Sequence, residues 1–259
     1  MKKIALNLLI IGMLAQACYA RINFLDEHSP GIDLRFSRNV WYNSTALYYE
    51  TDDDFNSLNA VYSGFTGINP FLELGFDWSI KQINPNKGDT RTGLTDIKVA
   101  AKYNLFKKTE IHEEEPIFIG EALFSIPSGD STKNLGAGGY GLGGGIIFGI
   151  FYDPVVYSSM LNYTVFSRGN DRKEGSVVGY GAAAEYAYNE EVMVIAEIKG
   201  KNSSSDEVGG LKLKNSRNEL YFGIGLDYEI NHRKSFSTNI LLGLTKKSSD
   251  LMLYASLNF

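Results

Sequence analysis

Leu251-Met252-Leu253-Tyr254-Ala255-Ser256-Leu257-Asn258-Phe259 closes the chain in unbroken alternation and ends on an aromatic residue. Side chains of a β-strand point to opposite faces with a period of two, so Leu251, Leu253, Ala255, Leu257 and Phe259 fall on one face. Tyr254, Ser256 and Asn258 fall on the other. The half-buried strand of a soluble sheet carries the same pattern, so the rest of the chain must decide between them.

At the opposite end, Lys2 and Lys3 precede an apolar run from Ile4 to Leu14, followed by Ala15, Ala17 and Ala20. That is the layout of a secretory signal peptide, and the run is shorter than the roughly 20 apolar residues a spanning helix needs. Cleavage is expected after Ala20, with Ala17 as the alternative, which would make residues 1–20 a removed leader. Removal of Lys2 and Lys3 takes the formal charge from −5 to −7, since the leader holds no acid. A net acidic chain offers no basic footprint for nucleic acid. With cleavage after Ala20 the single cysteine, Cys18, leaves with the leader, so neither disulfides nor thiol chemistry are expected.

Beyond residue 31 the chain divides into about twelve alternating segments separated by turn chemistry. Leu72, Leu74, Phe76, Trp78 and Ile80 oppose Glu73, Gly75, Asp77 and Ser79. Ile97, Val99, Ala101, Tyr103 and Leu105 oppose Asp96, Lys98, Ala100, Lys102 and Asn104. Leu220, Phe222, Ile224, Leu226 and Tyr228 oppose Glu219, Tyr221, Gly223, Gly225, Asp227 and Glu229. Long polar connections are expected at Tyr49 to Asn56, Lys81 to Arg91, Ser128 to Gly139, Ser167 to Gly175, Lys201 to Asn215 and Thr245 to Asp250. They alternate with shorter turns such as Asp153-Pro154 and Asn189-Glu190; Lys107 to Pro116 breaks the rule. Long outer loops against short periplasmic turns mark a transmembrane barrel. The expected fold is therefore all-β, a transmembrane antiparallel up-and-down β-barrel of about twelve strands over residues 31–259. Residues 21–30 form an N-terminal extension or small plug. Aromatics at segment ends, Trp41, Tyr42, Trp78, Tyr103, Tyr152, Tyr188, Tyr228 and Phe259, are candidates for interfacial girdles.

Three motifs carry a resemblance to a known family. Gly93-Leu94-Thr95-Asp96 runs into a strand ending Ala101-Lys102-Tyr103; Pro127-Ser128-Gly129-Asp130 follows; then comes Leu135-Gly136-Ala137-Gly138-Gly139-Tyr140. In order and spacing they resemble the outer-membrane transporters associated with phenol meta-pathway degradation. The resemblance implies a barrel and transport, and implies no catalytic residues. The terminal aromatic likewise resembles the closing strand of outer-membrane barrels, which implies the barrel-assembly machinery as a partner through the C-terminal strand.

The charges on the second face are the candidate lumen lining. They are Glu73, Asp77, Asp96, Lys98, Lys102, Glu121, Glu185, Glu197, Lys199, Glu219, Asp227 and Glu229, with Tyr221 as a stacking surface beside Phe151. Acids outnumber bases, which predicts mild cation preference in a wet lumen. Glycines at Gly141, Gly143, Gly145 and Gly149, and at Gly179 and Gly181, share that face. Two causes compete for them: tight curvature against bulky neighbours, or room for a ligand path. The match at Gly136, Gly138 and Gly141 to a dinucleotide fingerprint is followed by a strand rather than a helix, so no cofactor is expected. Neither Glu110 to Glu115 nor Asp52 to Asp54 has the spacing of a metal loop, and no metal is expected. The three histidines, His28, His112 and His232, have no nucleophile partner in view, and no enzyme activity is expected.

The function these readings support is passive passage of small solutes, aromatic or hydrophobic ones included, across a bacterial outer membrane. The other expected partners are outer-membrane lipid and lipopolysaccharide. The alternative is a non-transporting surface barrel whose long extracellular loops bind a partner.

Overall fold

The computed structural model describes residues 41–259 apart from 70, 107–115, 170–171, 214 and 232–233. The leader, the plug segment, all three histidines and the acidic turn Glu110 to Glu115 lie outside the described residues.

Twelve strands build the wall: β1 (Trp41–Thr51), β2 (Phe55–Asn69), β3 (Leu72–Pro85), β4 (Ile97–Asn104), β5 (Ile117–Ile126) and β6 (Gly141–Tyr152) form the first half. The second half is β7 (Val155–Phe166), β8 (Val177–Ala187), β9 (Val192–Ser203), β10 (Arg217–Asn231), β11 (Lys234–Gly243) and β12 (Leu251–Asn258). Each pairs antiparallel with its sequence neighbours, and β1 pairs with β12 from Ser44 opposite Asn258 to Thr51 opposite Leu251. The barrel is therefore closed. Reciprocal backbone hydrogen bonds between Asn43 and Phe259, 2.8 and 2.9 Å, finish the seam. Closure pairs every one of these wall strands on both sides, which is what a sheet requires to cross a bilayer.

Polarity follows the pleat. Leu74, Trp78 and Ile80 on β3, Leu142 and Ile146 on β6, and Ile240 and Leu242 on β11 are exposed on the outer face. Glu73, Asp77 and Ser79, facing the other way on β3, are buried. Each large outward side chain would cost about 1.5–3 kcal/mol in water relative to burial, so this surface needs lipid. Small apolar clusters sit inside the barrel, the largest being Ile117, Ile119 and Ile147 with Phe151, Val156 and Met160 packed on them. On β1 and β12, Tyr48 and Tyr254 meet at 4.9 Å between ring centroids.

Loop lengths depart from the sequence expectation in two places. Tyr49 to Asn56 is not a long outer loop: both residues lie in the ladder, the Tyr49 hydroxyl donates to Asn56 Oδ1 at 3.2 Å, and Asp52 to Asp54 makes the turn. Similarly, β3 runs on to Pro85, so Lys81 is a strand residue, and Arg91–Leu94 folds back to pair with it. Trp78 consequently sits mid-strand beside Tyr62, 6.2 Å between centroids, rather than at a strand end. Tyr103, Tyr152, Tyr188 and Tyr228 are exposed at the end of the barrel that carries the short turns.

Candidate functional site

The barrel interior gathers most of the charges singled out from the sequence. Glu73, Asp77, Lys102, Glu121, Glu185, Glu197, Glu219 and Tyr221 are buried on the inner face; Lys98, Lys199, Asp227 and Glu229 are half-buried there. Strand register orders them. Lys102 on β4 stands opposite Glu73 on β3 and Glu121 on β5, and Lys98 stands opposite Asp77. The Lys102 ammonium lies 3.5 Å from Glu73 and 5.8 Å from the Phe65 ring centroid. On β9, Lys199 pairs with Glu197 at 2.9 Å, and Asn239 Nδ2 donates to the same carboxylate. The Ser237 hydroxyl donates to Asp227 at 3.1 Å. These pairings offset the cost of burying charge in a low-dielectric interior.

The two candidate stacking surfaces, Tyr221 and Phe151, each have neighbours inside the barrel. Tyr221 donates to Glu219 at 3.2 Å, and its hydroxyl oxygen accepts from the Ser249 amide at 3.2 Å. Phe151 packs against the isoleucine cluster.

Asp96 stands apart from the wall. Immediately before β4, its carboxylate accepts from the Gly129 amide at 2.9 Å and the Ala137 amide at 2.7 Å. The Ser128 hydroxyl accepts from the Ile97 amide and donates to Thr95 O, both at 2.9 Å. Asp130 then caps the short 3₁₀ turn Ser131–Lys133. All three sequence motifs thus converge in one knot at the loop end, with Leu135 and Ala137 buried in it.

A second tie joins three loops. Arg172 donates to Ser131 O at 3.2 Å, Asn134 Oδ1 at 3.0 Å and Asp206 at 2.9 Å. Asp206 also accepts from the Gly175 amide and from Asn215, each at 2.9 Å. Burial pushes the Asp206 carboxyl up, but these donors outweigh it and hold it below the usual aspartate range. Neighbouring Glu174 is raised, chiefly by burial, with Lys201 opposing and Asp206 reinforcing. A small sheet of Arg172–Lys173, Glu207–Val208 and Leu211–Lys212 braces the same region.

Gly141 and Gly145 on the inner face are crowded. A Cβ on Gly141 would lie 2.8 Å from the Phe166 ring, and one on Gly145 would lie 2.7 Å from Leu161 O and 2.8 Å from Asn162 Cβ. Neighbouring β7 atoms occupy the space a Cβ would need at these two positions, whereas at Gly181 the nearest contact is 3.3 Å.

Sequence reasoning missed two polar groupings. Glu50, placed inside β1 once the turn shrinks, accepts from Ser57 at 3.0 Å and lies 3.7 Å from Lys81. At the seam, Asn258 accepts from Ser44 at 3.0 Å and donates to Ser235 at 2.8 Å. Period-two alternation through Ser44, Ala46, Tyr48 and Glu50 was the available signal. Among the described residues, no three or more His, Cys, Asp or Glu side chains gather as metal ligands.

A closed antiparallel wall, apolar outside and charged within, defines a transmembrane β-barrel of the outer-membrane class. The chain belongs to the family described as "Putative MetA-pathway of phenol degradation", whose model matches residues 23–259. Among solved structures it is similar to an outer membrane channel from Pseudomonas putida F1, with a TM-score of 0.74 at 10% identity over 92% of this chain and 99% of that one. It is also similar to the KdgM porin, TM-score 0.51 at 10% identity over 83% of this chain and 98% of that one. The NanC porin gives 0.52 at 9% identity over 83% and 97%. At these identities the likeness is one of fold. No curated protein matches the chain in sequence.

Proposed function

We propose that the barrel carries small solutes passively across the outer membrane, aromatic or hydrophobic ones included, along an interior lined by the charged rows of β3, β4, β5 and β9. The observation that supports this most strongly is the concentration of ionisable side chains inside a closed wall whose outside is apolar. In this reading the long loops face the medium and lipopolysaccharide, the short turns face the periplasm, and the leader is removed after Ala20. The C-terminal strand ending in Phe259 presents the chain to the assembly machinery. No covalent chemistry and no cofactor are involved.

The test is single-channel conductance of the refolded mature chain in a planar bilayer. Discrete steps with a cation-to-anion permeability ratio above one are expected from the acidic excess. A heat-modifiable, folded barrel that stays silent would overturn the reading. The tied loops around Arg172 and Asp206 favour one second reading, an ordered surface that binds a partner; deleting residues 204–213 would then abolish adhesion and leave permeability unchanged.

A further inference from the structure

The loop end of the barrel carries a continuous chain of polar ties. Asp96, at the start of β4, holds the amides of Gly129 and Ala137 in the β5–β6 loop. That loop is held in turn, through Ser131 O and Asn134, by Arg172 of the β7–β8 loop, and Arg172 is bound to Asp206 of the β9–β10 loop. Asp206 finally accepts from Asn215, two residues before β10. In a closed wall of twelve strands β4 and β10 stand opposite each other, so the ties connect two sides of the mouth.

Glu174 places the ties over the mouth rather than along its edge. It is half-buried, and the charges acting on it are Lys201, Asp206, Arg172 and Asp96. Lys201 ends the inward row of Glu197 and Lys199 on β9, while Asp96 stands at the rim of β4, five strands away. Charges act appreciably over only about 10 Å in salt solution, so a group in the field of both rims lies across the opening between them. The remaining charges of this region are engaged with each other: Arg168 pairs with Glu207 at 3.1 Å, and Lys173 stands opposite Glu207 in the small sheet.

The state of Glu174 bears on the ties directly. Once ionised, it is repelled by Asp206 and Asp96 and competes with Asp206 for Arg172. Lys201 and Arg172 favour its charge, but burial outweighs them, so the tied arrangement is penalised while Glu174 is charged and relieved when it is neutral.

We propose that the tied β5–β6, β7–β8 and β9–β10 loops are a gate on the outer mouth, with Arg172 and Asp206 as its latch and Glu174 as its proton-operated release. This rests on the passage reading above and adds its regulation. Neutral Glu174 leaves Arg172 to Asp206 and the gate shut; ionised Glu174 loosens it. The gate therefore closes as pH falls through the Glu174 carboxyl.

Conductance of the refolded mature chain in a planar bilayer, recorded against pH, is the test. One pH unit of difference in the carboxyl between shut and open gates is worth about tenfold in their ratio, so open probability should fall at least about threefold from neutral to mildly acidic pH. Glu174→Gln should stay at the acid-side level at every pH. Arg172→Ala, which removes the latch and leaves the wall strands untouched, should stay at or above the parent's neutral level throughout. Glu190→Gln, in an exposed turn, should follow the parent. Heat-modifiable gel mobility establishes that each variant has folded. A pH response retained in Glu174→Gln, or an Arg172→Ala barrel that closes on acidification as the parent does, would overturn the gate. Conductance also separates the two readings: a conducting parent with a flat pH profile refutes the gate alone, and a parent and Arg172→Ala that are both folded and silent at every pH refute passage.

Discussion

Replacing Lys102 with methionine removes the cation around which the β3–β4–β5 row is organised. Side-chain exposures of 4% for Lys102 and 7% for Glu73, with 3.5 Å between the charges, make this a desolvated pair rather than a surface one. Deleting one member of such a pair costs about 3–5 kcal/mol, because the survivor is left charged and uncompensated. Here Glu121, opposite Lys102 on the other side, loses the same neighbour, so the upper part of that range is expected. The methionine fills most of the lysine stem's volume, which keeps cavity formation out of the result. Urea unfolding in micelles, followed by gel mobility and circular dichroism, should show the midpoint falling by about 1.3–2.5 M at a slope of about 2–3 kcal/mol/M. Adding Glu73→Gln removes the stranded charge on β3, and the double variant should recover at least about half of the loss. A single variant within about 0.3 M of the parent, or a double variant no more stable than the single, would refute the claim that Lys102 holds this row together.

Asp96→Ala removes two charge-assisted bonds, each worth about 1.5–3 kcal/mol, so amide exchange at Gly129 and Ala137 should accelerate at least tenfold while the barrel midpoint barely moves. Equal protection in both proteins would count against the loop knot. Gly145→Ala drives a Cβ to 2.7 Å from the Leu161 carbonyl, and a loss of about 1–3 kcal/mol is expected. Gly181→Ala, whose nearest contact is 3.3 Å, should cost clearly less in the same urea experiment. The tie at Asp206 has a two-sided pH dependence. The raised Glu174 carboxyl is penalised while charged, so protection of the Gly175 amide should rise as pH falls through its elevated value. Because Asp206 titrates below its ordinary range, its contribution is full above that range and is lost as pH falls through the depressed value. Protection factors that decline steadily from neutral pH would contradict this ordering.

The wall was legible because its information is local. A two-residue period read along β3, β4, β10 and β12 assigns the face of every side chain, and the structure keeps those assignments. Strand ends were less legible, since Tyr49, Asn56 and Lys81 are polar or aromatic residues at home in either a loop or a lumen face. The loop ties were not legible at all. Asp96 meets partners 33 and 41 residues away, and Arg172 meets Asp206 across 34. No period encodes such distances. The glycines fall between these cases: their face followed from alternation, but the reason for them lay in Phe166 and Asn162 on the neighbouring strand.

The residues that carry the family resemblance and those that line the interior are mostly different residues doing different work. Asp96 accepts from the Gly129 and Ala137 amides and Ser128 ties Ile97 to Thr95, fixing where a loop leaves and rejoins the wall. Lys102 belongs to both sets, since its motif position also faces inward between Glu73 and Glu121. Glu121 belongs to no motif, and its two oxygens are left unused by the described residues. A motif held together by its own hydrogen bonds has no donors or acceptors left for a passing solute, so it can report the fold and still be silent on the cargo. Selectivity must then be sought where polar capacity remains unspent within the wall. By that criterion the wall is the part to vary, and the loop knot is the part to leave intact while doing so.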